Sequence, residues 1–383
     1  MQNVFVSKIH IDKVRHLTNI DIVLSETERK HLIITGKNGS GKTSLLEAIR
    51  DYIYAQQAQG AHLSGKTLGK YKSNAIFSSK IFISLSTDST NFFNQPTAHL
   101  FNTTCVYLPT ERSKLNIPDG IKAFTMEQNT SINVNASKDF LQYILSLYVQ
   151  YLSAKYSDSP EEAEYRAWFD RFTQNLREIY DCPELELKPN MKTLEFLIVM
   201  PDREPFGLHQ MSDGYKALIE ILMELLMRFA QADGTVDYAK PAIVIIDELE
   251  THLHVELQKR ALPFLTTMFP SVQFIVSTHS PFVITSLPSA VVYDLKKHET
   301  LENPSYYSYE SVVESFLDAD MYSEAMKQEF NRYKELLFKE RTSEENKEFL
   351  VAKTKLELMA PASKELYNAF QELEQQRKAA KNG

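Results

Sequence analysis

The chain has 383 residues, and its 42 Lys and Arg residues stand against 50 Asp and Glu residues, for a formal net charge of −8. Hydrophobic residues are 43% and charged residues 24% of the chain, which excludes a disordered or collagen-like polymer and allows one or two globular domains. The acidic balance excludes a surface that binds nucleic acid all over, although it is compatible with a local basic groove. Only 11 residues are glycine, so a cluster of glycines requires an explanation.

The cysteine count and the apolar runs indicate where the protein works. Cys105 and Cys182 are too few for a disulfide framework and have no metal-ligand spacing, so we expect a reducing, cytoplasmic environment. No apolar run reaches the ~18 residues of a membrane span, and residues 1–11 lack the pattern of a signal peptide. The sequence therefore predicts a protein that acts without a membrane.

The first half of the chain begins with strands. Residues 4–11 and 19–24 alternate apolar and polar side chains, as half-buried antiparallel strands do. A buried strand at 31–35 and a helix at 44–54 flank the glycine cluster, and residues 56–74 are polar and predict a loop. Further strands are predicted at 81–85, 105–108 and 193–200, and amphipathic helices at 137–156 and 160–180.

The second half alternates helices and buried strands. Periodicity predicts helices at 212–231, 254–268 and 281–286, and apolar runs predict strands at 242–246, 272–277 and 290–294. After residue 303 the chain is charged and helical in pattern to its last residue. This alternation is typical of an α/β fold with a largely parallel sheet.

Three of the eleven glycines fall within eight residues, between the strand at 31–35 and the helix at 44–54. The segment fits G-x-x-x-x-G-K-[ST], in which glycines let backbone N–H groups turn onto phosphate oxygens and the helix N-terminus adds its dipole. Lys42 can reach the β- and γ-phosphates, and the Thr43 hydroxyl can bind Mg²⁺. The predicted nucleotide-binding residues are Gly36, Lys37, Asn38, Gly39, Ser40, Gly41, Lys42, Thr43 and Ser44.

Two carboxylates follow the strand at 242–246. Asp247 and Glu248 stand where parallel strands end, which is the edge at which open α/β sheets bind ligands. We predict that Asp247 binds Mg²⁺ through water and that Glu248 acts as the general base on the attacking water. Acids at a strand end are often only solvated, but the phosphate loop upstream favours the functional interpretation.

Two more segments are predicted to lie at the same edge of the sheet, where the parallel strands end. Ser212 is a suitable N-cap, and Gly214 leaves the first turn of its helix uncovered, so that the helix amides are free to meet an anion. Alone, this pattern is an ordinary helix start. The strand at 272–277 leads to His279, whose neutral imidazole can hydrogen-bond a γ-phosphate or the attacking water.

The order of these four motifs resembles the ATPase head of ABC-type proteins. Within that class the chain is similar to the SMC/RecF-like branch and to the OLD-family, Septu and retron ATPases of anti-phage defence. The similarity covers about residues 3–295. The segments that carry it are GKNGSGKTSLLEAI at 36–49, MSDGYKALIEIL at 211–222, IDELETHLHVELQ at 246–258 and FIVSTHSPFVI at 274–284.

The resemblance implies an α/β P-loop NTPase fold, with a mixed sheet and an antiparallel β-subdomain. The expected domains are an N-terminal lobe with the phosphate loop, a helical insertion, a C-terminal lobe with the signature, Asp247, Glu248 and the switch histidine, and a C-terminal helical region. Their predicted bounds are 1–112, 113–192, 193–300 and 301–383.

The resemblance also implies a function. Two heads would dimerise around ATP and Mg²⁺, and Ser212 and Gly214 of one chain would contact the γ-phosphate that Lys42 of the other chain binds. Residues 251–254 would cross the dimer interface. Lys42, Glu248 and the switch histidine His279 would support hydrolysis, which would control DNA engagement or a separate effector protein such as a nuclease, in prokaryotic anti-phage defence.

Other interpretations stay open. The chain could be a nucleotide-controlled scaffold that holds a toxic partner, or a RecF-like repair ATPase. An ABC importer ATPase fits least, because the helical insertion is longer than transporter docking needs. Where SMC-like heads place a glutamine that contacts Mg²⁺, residues 105–112 contain none, although Arg112 could contact the nucleotide there.

Three further pairs of charged or metal-binding residues are weaker candidates for a functional site. Lys13 and Arg15 could contact the nucleotide, but a solvated strand edge is the favoured interpretation. His252 and His254 have no third metal ligand at a suitable spacing. The pair Asp318 and Asp320 has no apolar strand before it, so we do not expect this chain alone to cut DNA.

Overall fold

The structure is a computed structural model of the chain. It forms two compact units, Met1–Val312 and Val313–Gly383, which are described separately below. The residues that the structure describes are 5–63, 80–85, 104–110, 115, 136–231, 235–317, 324–337, 339, 341–359, 368, 370–373 and 375–376.

The secondary structure follows the predicted alternation. The strands are β1 (Val6–Val14), β2 (Leu17–Val23), β3 (His31–Thr35), β4 (Lys80–Leu85), β5 (Thr104–Leu108), β6 (Glu186–Asn190), β7 (Glu195–Met200), β8 (Arg203–Gly207), β9 (Ala242–Ile246), β10 (Val272–Ser277), β11 (Ala290–Asp294) and β12 (Glu299–Glu302). The helices are α1 (Lys42–Leu63), α2 (Phe140–Tyr156), α3 (Glu161–Tyr180), α4 (Asp213–Phe229), α5 (Val255–Met268), α6 (Pro281–Ile284), α7 (Tyr309–Ser311), α8 (Glu324–Leu337) and α9 (Ser343–Met359).

The central sheet of the first unit has six strands in the order β12-β11-β3-β10-β9-β5. All its pairs are parallel except β11 with the edge strand β12. Every residue of β3, β9, β10 and β11 is buried, as apolar parallel strands covered on both faces are. Because β3, β9 and β10 are parallel neighbours, the residues that follow them leave the sheet at the same edge.

A second sheet, in the order β2-β1-β4, is antiparallel. Its apolar face shares one core with α1 and the central sheet. The buried side chain of Gln273 on β10 joins the two sheets, because its Oε1 accepts from Val6 N (2.7 Å) and its Nε2 donates to Val6 O (3.0 Å) and Lys30 O (2.7 Å). The predicted α/β fold with a mixed sheet and an antiparallel β-subdomain is confirmed.

A third sheet, β6-β7-β8, is antiparallel and small. The strand predicted at 193–200 is confirmed as β7, which lies between β6 and β8 in this sheet. Strand β6 also lies inside the segment 113–192 that the sequence predicted as helical. Its sequence, ELKPN, has one apolar residue besides proline, so pairing with β7 rather than local pattern makes it a strand.

The helices differ from prediction mainly in length. Helices α2 and α3 confirm the two predicted at 137–156 and 160–180, and they pack through an aromatic cluster of Phe140, Trp168 and Phe172. Helix α1 continues to residue 63, so the loop predicted from residue 56 begins too early. The residues 55–59 are Ala and Gln, which favour helix although they are polar enough to suggest a loop.

The second unit contains α8 and α9, whose apolar core is formed by Tyr333, Leu336, Phe349, Leu356 and Phe370 among others. Asp318 and Asp320 lie outside the described residues. Within the part of the chain that the structure describes, no helix has both the length and the apolar character to cross a membrane.

Candidate active site

The phosphate loop joins β3 to α1. Gly36, Gly39 and Gly41 have φ angles of 139°, 81° and 99°, which L-residues rarely adopt. A Cβ at Gly36 would lie 2.8 Å from Ser40 Oγ, and one at Gly41 would lie 3.1 Å from the His16 ring, whereas no atom lies within 4 Å of a Cβ at Gly39. The loop is thus packed at both ends and open at its centre, where an anion can approach the backbone.

Lys42 lies across this loop. Its Nζ donates to Gly36 O (3.0 Å) and Lys37 O (3.4 Å), and only 6% of the residue is exposed. Burial lowers the pKa of Lys42, while the negative charges of Glu248, Glu250, Asp247 and Asp294 act in the opposite direction. A buried ammonium bonded to neutral carbonyls is well suited to exchange them for a charged phosphate.

Asp247 lies just beyond β9 and is 2% exposed. Its Oδ2 accepts from Thr43 Oγ1 (2.9 Å) and Thr110 Oγ1 (3.3 Å), and its Oδ1 accepts from Ser277 Oγ (2.6 Å). The phosphate loop and the carboxylate predicted for Mg²⁺ are therefore in direct contact. Carboxylate and hydroxyl oxygens are the hard donors that Mg²⁺ prefers.

Sequence reasoning missed Thr110 and Ser277. Thr110 follows β5, at the place where the expected glutamine is absent, and Arg112 lies outside the described residues. Ser277 is the last residue of β10, and it also accepts from Glu248 N (2.8 Å). A polar side chain at the end of a strand, or within two residues after it, is the signal that could have identified both.

Glu248 begins a loop of residues 248–254. Its φ is 47°, in the left-handed region, and its Oε2 accepts from Thr251 Oγ1 (3.3 Å). Leu249 N donates to Ser277 O (3.1 Å), so both residues after Asp247 are tied to the end of β10. These contacts fix Glu248 next to Asp247 and Ser277, at the sheet edge where the sequence placed it.

His279 lies on the segment after β10. Its backbone N donates to Glu250 Oε1 (2.5 Å), and its Nε2 is buried without a hydrogen-bond partner. Burial and the charge of Lys42 lower the pKa of His279, against the opposite effect of Glu250 and Glu248. The lowered pKa favours the neutral imidazole, which is the form that the role predicted for His279 requires. Glu250 was not predicted.

Ser212 and Gly214 open α4, and Ser212 occupies the N-cap position without a side-chain capping bond. A Cβ at Gly214 would lie 2.8 Å from His254 Cδ2 and 3.2 Å from His252 O. The expectation of an uncovered first turn is therefore wrong on this side, because the His254 ring of the same chain lies against it.

Arg15 and His16 lie in the turn between β1 and β2. Arg15 is exposed and pairs with Glu47 (3.6 Å), which agrees with a solvated strand edge. His16 Nε2 lies 3.1 Å from Ser40 O and therefore touches the phosphate loop, a contact that the sequence did not predict.

Four buried polar atoms around this edge have no hydrogen-bond partner within the described part of the chain. They belong to the end of β3, the phosphate loop, the loop 248–254 and the segment after β10. An unpaired buried polar atom costs free energy, so four of them around one edge of the sheet fit a polar ligand at that place. The atoms are Thr35 Oγ1, Ser40 Oγ, Glu250 Oε2 and His279 Nε2.

A family profile described as “AAA domain, putative AbiEii toxin, Type IV TA system” matches residues 71–285, which is more than half of the chain. The chain belongs to this family. The matched region of the AAA domain contains Ser212, Gly214, Asp247, Glu248 and His279, whereas the phosphate loop precedes it.

The chain is similar to three curated proteins, and the predicted resemblance to retron and Septu ATPases is confirmed. It is 28% identical to “Retron Ec83 probable ATPase” of Escherichia coli over 149 residues, or 37% of this chain and 26% of that protein. It is 32% identical to “Retron Vc95 probable ATPase” of Vibrio cholerae over 95 residues, or 24% and 18%. It is 30% identical to Septu protein PtuA of Bacillus mycoides over 95 residues, or 25% and 13%. The match thus spans about a quarter or less of each relative's length.

Among solved structures, the chain is similar to SMC heads, the class that its motif order resembles. An SMC head bound to the C-winged helix domain of ScpA has a TM-score of 0.41 at 13% identity, and the match covers 79% of this chain and 100% of that one. The SMC head domain from Thermotoga maritima has a TM-score of 0.33 at 16% identity, with 76% and 94% covered.

Proposed function

We propose that the chain is a Mg²⁺-dependent ATPase. The observation that carries the proposal is the hydrogen bond from Thr43 Oγ1 to Asp247 Oδ2 (2.9 Å), which joins the end of the phosphate loop to the end of β9. Two motifs 204 residues apart in sequence thereby meet at one place, as nucleotide and metal binding require. Membership of an AAA domain family supports the same reaction.

The phosphates of ATP would bind at the phosphate loop. Backbone N–H groups of residues 36–41 and the first turn of α1 are suited to cradle the β-phosphate, because both carry partial positive charge. Lys42 would leave the carbonyls of Gly36 and Lys37 to bind the β- and γ-phosphates.

The hydroxyl of Thr43 and the carboxylate of Asp247 would hold Mg²⁺, with Asp247 acting directly or through water. The ion would neutralise charge on the β- and γ-phosphate oxygens. Thr110 and Ser277 fix the Asp247 carboxylate by hydrogen bonds of 3.3 and 2.6 Å. Thr110 follows β5, as the glutamine of SMC-like heads follows a strand, and its contact here is with Asp247.

Glu248 would accept a proton from water as the water oxygen attacks the γ-phosphorus. The bond from that phosphorus to the bridging oxygen of ADP breaks, and the products are ADP and phosphate. His279 is suited to donate a hydrogen bond from its neutral ring to the γ-phosphate, because its buried Nε2 has no partner in the described protein.

We further propose that two chains close around ATP, with Ser212 and Gly214 of one chain near the γ-phosphate on the other. Relatives named as retron ATPases and as Septu PtuA support a role in anti-phage defence. In that role the ATPase would control a separate effector, such as a nuclease, or engage DNA.

Lys42→Ala and Glu248→Gln test this function together. We expect Lys42→Ala to lose ATP binding, and Glu248→Gln to keep it while hydrolysis falls at least 100-fold and an ATP-dependent dimer accumulates. Phosphate release and light scattering with and without ATP measure the two effects, and Glu256→Gln, an exposed acid on α5, is the control. A Glu248→Gln protein that hydrolyses ATP at the wild-type rate contradicts the proposed base.

The same variants separate the ATPase from a nucleotide-controlled scaffold. If Glu248→Gln supports phage defence as well as the wild type does while Lys42→Ala does not, binding alone matters and the scaffold interpretation holds. DNA engagement requires an ATP-dependent affinity that weakens with salt. No such affinity at low salt excludes it.

A further inference from the structure

The loop 248–254 and the segment after β10 are held together at the sheet edge. Ser277 binds Asp247, Glu248 and Leu249 through its hydroxyl and its carbonyl. Beyond the ends of the strands, the two segments are joined by one more hydrogen bond, which His279 N donates to Glu250 Oε1 (2.5 Å).

The backbone on either side of His279 is fixed by other contacts. Thr278 N donates to Ile34 O on β3 (3.0 Å). Ser280 Oγ donates to Gln258 Oε1 on α5 (2.6 Å) and accepts from the first N–H groups of α6. Between these two anchors, the peptide that carries the His279 side chain is bound by Glu250.

Glu250 lies where it can link Glu248, the proposed base, to His279. It follows Glu248 by two residues on one short loop, so the loop carries both the proposed base and the acceptor that holds His279. A hydrogen bond to a carboxylate is about twice as strong as one between neutral groups. The other carboxylate oxygen, Glu250 Oε2, is buried and has no hydrogen-bond partner in the described residues.

We propose that Glu250 is a positioning residue, which fixes the imidazole of His279 relative to Glu248 by accepting the His279 backbone N–H. This inference rests on the proposed ATPase function and deepens it. In this role Glu250 acts through His279 and not on the reacting atoms themselves. Displacement of a positioned group by about 1 Å lowers a rate roughly 100-fold, so a single acceptor at this place has a large effect on catalysis.

Two substitutions separate the acceptor from the charge. Glu250→Gln keeps an oxygen that accepts the N–H but removes the negative charge, whereas Glu250→Ala removes both. We expect Glu250→Gln to keep kcat within about threefold of the wild type, and Glu250→Ala to lower kcat at least 30-fold with little change in KM for ATP. Glu256→Ala, which removes an exposed carboxylate from the next helix, is the matched control.

A double variant distinguishes positioning from a general structural role. In His279→Ala the backbone N–H remains but the imidazole is gone, so Glu250→Ala should then cause no further loss of kcat. Hydrogen–deuterium exchange of the nucleotide-free protein gives a second readout, because the amide of His279 should exchange at least tenfold faster in Glu250→Ala and near the wild-type rate in Glu250→Gln.

The outcomes are distinct. An inactive wild type overturns the proposed ATPase and this inference with it. If the wild type is active, three results would overturn the inference alone. Glu250→Ala could keep the wild-type kcat, Glu250→Gln could lower kcat as much as Glu250→Ala does, or the losses of kcat in Glu250→Ala and His279→Ala could multiply in the double variant. Rescue by Gln, loss with Ala and no added loss in the double variant support it.

Discussion

The imidazole of His254 fills the space beside the α-carbon of Gly214. A Cβ built at residue 214 would lie 2.8 Å from His254 Cδ2 and 3.0 Å from His254 Nε2. Contacts below 3.0 Å do not persist, so a side chain at this position forces the ring or its loop to move. The start of α4 and the loop 248–254 are therefore packed to fit each other within one chain.

We expect Gly214→Ala to destabilise this contact and to lower ATP hydrolysis. Overpacking of this kind costs about 1–3 kcal/mol in the free energy of unfolding. The phosphate loop is not part of the contact, so the affinity for ATP should stay within about threefold. Urea unfolding, nucleotide titration and phosphate release measure the three quantities.

His254→Ala is the companion to that test. Removing the ring opens the space, so Gly214→Ala should cost much less stability in the His254→Ala background than in the wild type. If the cost is the same in both backgrounds, the contact with His254 is not the reason for a glycine at residue 214.

Ser277→Ala should weaken the metal site more than the nucleotide site. The hydroxyl donates to Asp247 Oδ1 and accepts from Glu248 N, so its loss leaves a buried carboxylate and a buried amide each short of one partner. We expect the Mg²⁺ concentration for half-maximal hydrolysis to rise about tenfold and kcat to fall. Ser286→Ala removes a hydroxyl bonded to Val283 O on α6 and is the control. An unchanged Mg²⁺ dependence would contradict this role.

The parts of the site that local sequence determines could be predicted, and the parts that sheet order determines could not. The phosphate loop, Asp247 and Glu248 lie next to buried strands, so composition and spacing were enough. Thr110 and Ser277 reach Asp247 because β5 and β10 are the two neighbours of β9, and strand order is not written in any one segment.

The strands that could not be predicted from the sequence were missed for a different reason. The strands β6 (ELKPN), β8 (REPFG) and β12 (ETLE) are mostly polar edge strands, so none of them shows the apolar alternation that marks a half-buried strand. Their extended form comes from pairing with β7 and β11, whose sequences are strongly apolar. Apolar strands were predicted nearly to the residue, as β9, β10 and β11 show.

His31 should make the stability of the protein depend on pH. Its buried ring accepts from Phe274 N through Nδ1 (3.1 Å), and burial, with the charge of Arg29, lowers the pKa of His31 from 6.5 to about 4. Between these two values the unfolded chain binds a proton that the folded chain does not. The free energy of unfolding therefore falls as the pH falls from 6.5 to 4, by roughly 3 kcal/mol from this residue.

Urea unfolding at pH values from 4 to 8 measures the effect. In His31→Gln the fall between pH 6.5 and 4 should be smaller by about that amount. His10→Gln is a control of opposite sign, because hydrogen bonds to Asp21 and Asp12 raise the pKa of His10, so its contribution is lost only as the pH rises above 6.5. Equal slopes below pH 6.5 in His31→Gln and the wild type would show that His31 is not the group responsible.

Removing one partner of the buried pair Glu224 and Arg228 on α4 should lower the free energy of unfolding, whereas replacing both by apolar side chains should change it little. Glu224 is 1% exposed, its Oε1 accepts from Arg228 Nε (2.8 Å), and its Oε2 accepts from Ser137 N (2.6 Å), at the start of the α2–α3 segment. Glu224→Ala removes the carboxylate that pairs with a buried guanidinium and accepts from the Ser137 amide, so we expect a loss of about 3–5 kcal/mol in the free energy of unfolding.

The double substitution Glu224→Leu with Arg228→Met decides between the charges and the packing as the source of that loss. Replacing a buried ion pair by apolar side chains of similar volume is often neutral, so the double variant should unfold near the wild-type urea midpoint, apart from the loss of the hydrogen bond from Ser137 N. Glu162→Ala breaks the exposed pair with Arg166 on α3 and should leave the midpoint unchanged. If the double variant is as unstable as Glu224→Ala, the lost hydrogen bond from Ser137 N accounts for the effect, and Glu224 serves chiefly to hold the start of the α2–α3 segment against α4.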